Sequence, residues 1–77
     1  MPHVVVKLLP GRTEQQKMDL ARQIVKDVVR IACTEEANVS VALEKVSLEE
    51  WAAKVYETDI KPNRHRLYVK PGYNPYD

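Results

Sequence analysis

The sequence predicts an α/β fold built as a single β-α-β protomer, and three observations predict it. A β-branched run at residues 3 to 9 stops at Pro10-Gly11, helical apolar periodicity follows Thr13, and period-two alternation begins at Val39. The first run, His-Val-Val-Val-Lys-Leu-Leu, has the composition of a strand, and the Pro-Gly pair after it is turn chemistry. Thr13 stands three residues before Gln16, the spacing at which each side chain can satisfy a backbone donor of the other at a helix start. Ala21, Ile24, Val25, Val28 and Ala32 then recur at helical spacing, widened by Leu20 and Ile31. Glu14, Lys17, Arg22, Lys26 and Arg30 stay on the polar side. Such a stripe needs a sheet to face. Past Glu35-Glu36-Ala37-Asn38, Val39, Val41 and Leu43 alternate with Ser40, Ala42 and Glu44 as a second strand. A strand, long helix and strand in succession make a right-handed crossover, so the two strands are expected to be parallel.

Ser47 and Glu50 repeat the capping-box spacing, which predicts a short second helix from Leu48 to about Glu57 carrying Trp51, Ala52, Val55 and Tyr56. Pro62 marks a break or a new first turn. Ile60, Arg64, Leu67 and Tyr68 after it lie at helical spacing, and the segment is read as helix with an extended conformation left open. Lys70 to Tyr76 is turn chemistry, with Tyr73 and Tyr76 free to dock on the body or on a neighbouring chain.

With 77 residues, the chain is read as one domain spanning 1–77, and a chain this short builds only a marginal core. Small scaffolds compensate with disulfides, a structural metal or a second subunit. The one cysteine, Cys33, excludes an internal disulfide, and Cys33, His3 and His65 are too scattered for zinc-ligand spacing. Cys33 sits in an apolar helical stretch and reads as a small buried hydrophobe. A two-stranded sheet with one helix leaves its other face bare, so a homo-oligomer is expected.

Twelve Lys+Arg against eleven Asp+Glu give a net charge of +1, which offers no global field for nucleic acid or an anionic membrane. The cluster Arg64, His65, Arg66 with Lys70 reads as a solvated face, with a local anion patch as the alternative. No run approaches the ~18 apolar residues of a membrane helix and no signal-peptide pattern opens the chain, so a cytoplasmic location is expected.

Gly11 and Gly72 are the only glycines, which excludes a glycine-rich phosphate loop, and no Ser-His-Asp or Cys-His set has recognisable context. The notable residue is Pro2, directly after Met1. A proline nitrogen inside a peptide is an amide without basicity, whereas an amino-terminal proline is a secondary amine. Removal of Met1 creates a base; a chain that keeps Met1 has none at this position. Taken alone, a small second residue merely permits that removal.

Pro2 with its Val-rich strand, Gly11-Arg12-Thr13-Glu14-Gln15-Gln16-Lys17, the strand around Val39-Ser40-Val41, and Trp51 together resemble the 4-oxalocrotonate tautomerase family. The resemblance spans roughly residues 2 to 51. The longer tail ending Lys70-Pro71-Gly72-Tyr73 is similar to a dimeric bacterial branch, which implies a homodimer. It implies a cofactor-free and metal-free isomerase of small enol or keto acids, with Pro2 as general base and acid. Arg12 is then the group that binds or polarises the substrate carboxylate, and Trp51 the apolar wall that desolvates the amine.

An apolar wall and a nearby cation both disfavour the protonated amine, bringing its pKa toward neutrality where a proton shuttle works best. The second arginine of the best-known members falls at Ser40, which favours monocarboxylated aryl or alkyl enolpyruvates as substrates. The bland alternatives are a solvated Arg12, or one bound to another chain's carboxylate, and a Trp51 that only fills core. Strand alternation aims His3 away from the face of Pro2 and Val4. Two other functions stay open: a hydratase or dehalogenase of unsaturated acids, with Glu44 as its water-activating carboxylate, and a non-catalytic oligomeric binding module.

Overall fold

The computed structural model describes residues 1–77 and divides them into two compact units, Met1–Lys45 and Val46–Asp77. The first contains strand β1 (His3–Leu8), helix α1 (Glu14–Ala32), a 3₁₀ turn (Glu36–Asn38) and strand β2 (Ser40–Lys45). β1 and β2 pair in parallel, His3 opposite Ser40 through Leu8 opposite Lys45. The expected β-α-β arrangement is therefore present.

Between β1 and α1 the chain reverses at Gly11, whose φ of 127° lies where side chains are disfavoured and glycine is free. Thr13 then caps α1. Its hydroxyl accepts from the Gln16 N–H at 3.1 Å and its own N–H donates to Gln16 Oε1 at 2.9 Å, the reciprocal pair expected from the spacing. Lys17 reaches back to Glu14 at 2.7 Å, and this contact, hydrogen bond first, holds the Glu14 carboxyl below its usual range.

α1 packs on β2, with Ala21, Val25 and Val41 lining one shared groove and Lys17, Met18, Ala21 and Leu43 another. Register places Val4 and Val6 beside Val41 and Leu43 on this face, and strand alternation turns Val5 and Ala42 to the other. On that second face Val5 is 44% exposed and Ala42 half-buried. The stripe on α1 is only partly covered as well. Ile24, Val25 and Val28 are half-buried, whereas Leu20, Ala32 and Ile31, the last at 68%, remain exposed.

One expectation fails at the end of α1. Cys33 is exposed, not buried. It lies one residue past the helix in the left-handed conformation (φ 54°, ψ 57°), and that reversal carries its side chain off the packed stripe. The N–H groups of Cys33 and Thr34 both bond to the Val29 carbonyl, satisfying an orphaned acceptor at the helix end.

The second unit opens with helix α2 (Leu48–Trp51), which passes without a break into a π-helix at Ala52–Ile60. The wider winding is visible at its end, where the Lys61 N–H reaches the Tyr56 carbonyl five residues back at 2.8 Å. The predicted helix is thus present but longer and differently wound. The capping box at its start is also altered, because the Ser47 hydroxyl donates to the Glu50 carboxylate at 3.0 Å instead of accepting from the backbone. Lys54 binds the same carboxylate at 2.6 Å, and the two partners, Lys54 first, hold Glu50 below its usual range.

Residues 60–70 are not the helix read from spacing. After Pro62 only the 3₁₀ turn Arg64–Arg66 forms, and Leu67 is extended. Pro62 supplies no N–H to continue a helical ladder. Val46, Val55 and Tyr56 are the buried apolar residues of the chain, and all three belong to this second unit.

Candidate functional site

The candidate residues occupy three places. Pro2 is half-buried directly before β1, and its carbonyl accepts the Ser40 N–H at 3.2 Å. The head of β2 therefore anchors the residue whose nitrogen is of interest. Ser40 stands in register with His3, and Ser40 Oγ and His3 Nδ1 form a hydrogen bond of 2.6 Å. The hydroxyl at position 40 thus has a neighbouring partner, and it carries no charge.

Arg12 lies elsewhere. It follows the other end of β1, where Nη1 donates to the Leu9 carbonyl at 3.0 Å and the side chain is otherwise exposed. A strand advances ~3.3 Å per residue, so the six residues of β1 separate Pro2 from the Arg12 turn by roughly 20 Å. Within one protomer the two do not meet. Glu44 is likewise displaced, paired with Lys7 about 13 Å along β2 from Ser40 by the same rise. An open groove of about 420 Å³ between α1 and β2 is lined by Ala21, Arg22, Val25, Lys26, Glu36 and Val41, and none of Pro2, Arg12, Ser40, Glu44 and Trp51 contributes to it.

Trp51 belongs to the second unit, as the last residue of α2. Its indole Nε1–H donates to the Tyr73 hydroxyl at 2.9 Å. The Tyr73 ring packs on Tyr56 with centroids 6.4 Å apart, and Tyr76 meets Tyr56 edge-on at 6.0 Å. The Tyr76 hydroxyl also bonds the Glu57 carboxylate, which pushes the Tyr76 phenol pKa up. Tail docking was legible as an option, but the specific Trp51–Tyr73 pair was not. Nor was the His3–Ser40 pair, because alternation starts the second strand at Val39 whereas the register sets His3 opposite Ser40.

Comparison with known proteins adds three kinds of finding. Residues 2–57 match the family model described as tautomerase enzyme. Among curated relatives, Tautomerase PptA of Enterobacter sp. (strain 638) is 40% identical over 75 residues, covering 96% of this chain and 99% of that protein. A probable tautomerase of Xylella fastidiosa is 36% identical over 73 residues, covering 95% and 89%. Among solved structures, a 4-oxalocrotonate tautomerase homologue superposes with a TM-score of 0.63 at 29% identity, over 79% of this chain and 98% of that one. A structure from work on the 4-oxalocrotonate tautomerase isozymes of Methylibium petroleiphilum gives 0.62 at 28% identity, over 65% and 81%.

Proposed function

This chain belongs to the tautomerase family and is an isomerase of that class, and we propose that it interconverts enol and keto forms of 2-oxo acids bearing one carboxylate. Aryl and alkyl enolpyruvates are the intended substrates, and the secondary amine of Pro2 is the proton carrier once Met1 is removed. The amine nitrogen takes the proton of the 2-hydroxyl and the resulting ammonium returns one to C3. The C2–C3 double bond becomes C2=O, and the amine is regenerated. Neither a metal nor an organic cofactor enters this scheme. The family match crosses from the first compact unit into the second, which supports residues 1–77 acting as one tautomerase-like domain.

The observation that carries this reading is the anchoring of Pro2. Its carbonyl is held by the β2 backbone, so the nitrogen two bonds from that carbonyl carbon starts from a fixed position. Arg12 is assigned to the substrate carboxylate and is supplied by a second protomer of a homodimer, because its own Pro2 is at the far end of β1. One of its five N–H donors is spent on the Leu9 carbonyl, which leaves a pair for bidentate contact. Trp51 is assigned to the apolar end of the substrate. With its one N–H already given to Tyr73, its ring offers hydrocarbon alone. Ser40 contributes no second cation, and the single charge of Arg12 suits a monoacid. No helix is long and apolar enough to cross a membrane.

The test is turnover of phenylenolpyruvate by processed protein, by protein that retains Met1, and by Pro2→Ala. A general base and acid contributes roughly 10²- to 10⁴-fold, and both altered proteins are expected to lose a factor in that range. The kcat/KM profile of the processed protein is expected to rise with pH near neutrality as the amine loses its proton. Undiminished turnover with the amine blocked would sink the mechanism.

A further inference from the structure

We propose that Tyr73 is a positioning residue for Trp51, and that the C-terminal tail thereby sets which apolar substituents the enzyme accepts. The proposal rests on the reading of Trp51 as the substrate's apolar wall. An indole has one donor and no acceptor, so a single bond fixes the direction in which its ring lies. At 2.9 Å the Nε1–Tyr73 contact is a full hydrogen bond. Satisfying the N–H does not require it, since Trp51 is only half-buried and water could serve. Burial does not require it either, because Tyr73 stays 47% exposed. What the bond does is hold one rotamer of Trp51 by means of a residue 22 positions later in the chain.

That later residue is itself held in place. Tyr56, 7% exposed, contacts the Tyr73 ring on one side and the Tyr76 ring on another, and Tyr76 is tied in turn to Glu57. The tail is thus fastened to the π-helix at two points, and only one of them touches the tryptophan. Tyr73→Phe removes the acceptor while keeping the ring against Tyr56. Tyr76→Phe removes the bond to Glu57 while keeping the ring against Tyr56, and leaves the Trp51 bond intact.

The chain has one tryptophan, so its fluorescence reports Trp51 alone. Acrylamide quenching and emission anisotropy are to be measured on both variants, with circular dichroism confirming the fold. KM and kcat are to be measured with phenylenolpyruvate and with a methyl-substituted enolpyruvate. Tyr73→Phe is expected to raise quenching and lower anisotropy, and to raise KM for the phenyl substrate about 2- to 10-fold, the range set by one neutral hydrogen bond. Its kcat and its KM for the small substrate are expected to stay within twofold, and Tyr76→Phe is expected to leave the fluorescence unchanged. Unaltered fluorescence in Tyr73→Phe overturns the proposal. Altered fluorescence with both KM values unchanged also overturns the positioning role, and with it the substrate wall at Trp51. A wild-type protein without turnover overturns the proposed function instead, and the quenching data still decide whether Tyr73 fixes the indole.

Discussion

Ser40→Arg is the substitution that most directly probes substrate choice. Position 40 heads β2, opposite His3, with its N–H bonded to the Pro2 carbonyl at 3.2 Å. The ladder fixes the backbone here next to Pro2, and a longer side chain leaves it on the face of His3. The substitution removes the 2.6 Å bond between Ser40 Oγ and His3 Nδ1. Both partners are exposed, and the loss is about 1 kcal/mol or less, too little to unfold the chain. In return the site gains a cation. An unpaired second carboxylate in an apolar pocket carries a penalty of several kcal/mol, and a charge-assisted hydrogen bond restores about 1.5–3 kcal/mol of it. At about 1.4 kcal/mol per factor of ten, the diacid is expected to gain roughly 10- to 150-fold in kcat/KM, while the monoacid changes less than about threefold. The assay is kcat/KM for phenylenolpyruvate and for a dicarboxylated dienol, on both proteins. A wild-type enzyme that already prefers the diacid, or a ratio that Ser40→Arg leaves unchanged, refutes the reasoning.

Two further predictions concern the helix end and the composition of the site. Cys33→Gly relieves a left-handed residue that costs about 1–2 kcal/mol, offset by about 0.5–1 kcal/mol from the freer unfolded chain. A net gain near 0.5–1 kcal/mol is expected to raise the thermal midpoint by roughly 2–8 °C, and an equal or lower midpoint contradicts the strain argument. Pro2→Ala and Arg12→Ala chains, each inactive alone, are expected to recover about a quarter of wild-type activity when unfolded together and refolded at equal concentration, since random pairing makes half the dimers mixed with one intact site of two. No recovery means that both groups come from one protomer.

Local chemistry made most of the fold legible before any coordinates. The Thr13–Gln16 box specified the first residue of α1, and alternation specified β2, because each signal depends on residues a few positions apart. Signals failed where a competing partner intervened. Ser47 has the right spacing for a cap, yet its hydroxyl donates to the Glu50 carboxylate and accepts no backbone N–H. Residues 60–70 kept helical spacing, but Pro62 withholds a ladder donor and only one tight turn follows. The candidate residues were legible one by one, whereas their relations were not. His3 meets Ser40 through strand register, and Trp51 meets Tyr73 through a tail whose course no short-range pattern encodes.

The length of β1 links the chemistry to assembly. Roughly 20 Å of strand lies between Pro2 and the turn that carries Arg12, farther than an arginine side chain extends, so a site using both draws on two chains. The same chain leaves apolar surface in want of cover. Val5 is 44% exposed, Leu20 39% and Ile31 68%, whereas a fully buried side chain of this size contributes about 1.5–3 kcal/mol. Even if one interface covered all three groups on each of two protomers, partly buried already, they would supply on the order of 5–10 kcal/mol. Association costs roughly 4–15 kcal/mol, so these groups alone place a dimer near balance, and further contacts must decide its strength. In the proposed homodimer, activity and stability share one equilibrium. Dilution toward its midpoint takes apart the site and exposes the sheet together, and a ligand bridging Pro2 and Arg12 from different chains strengthens the assembly by mass action.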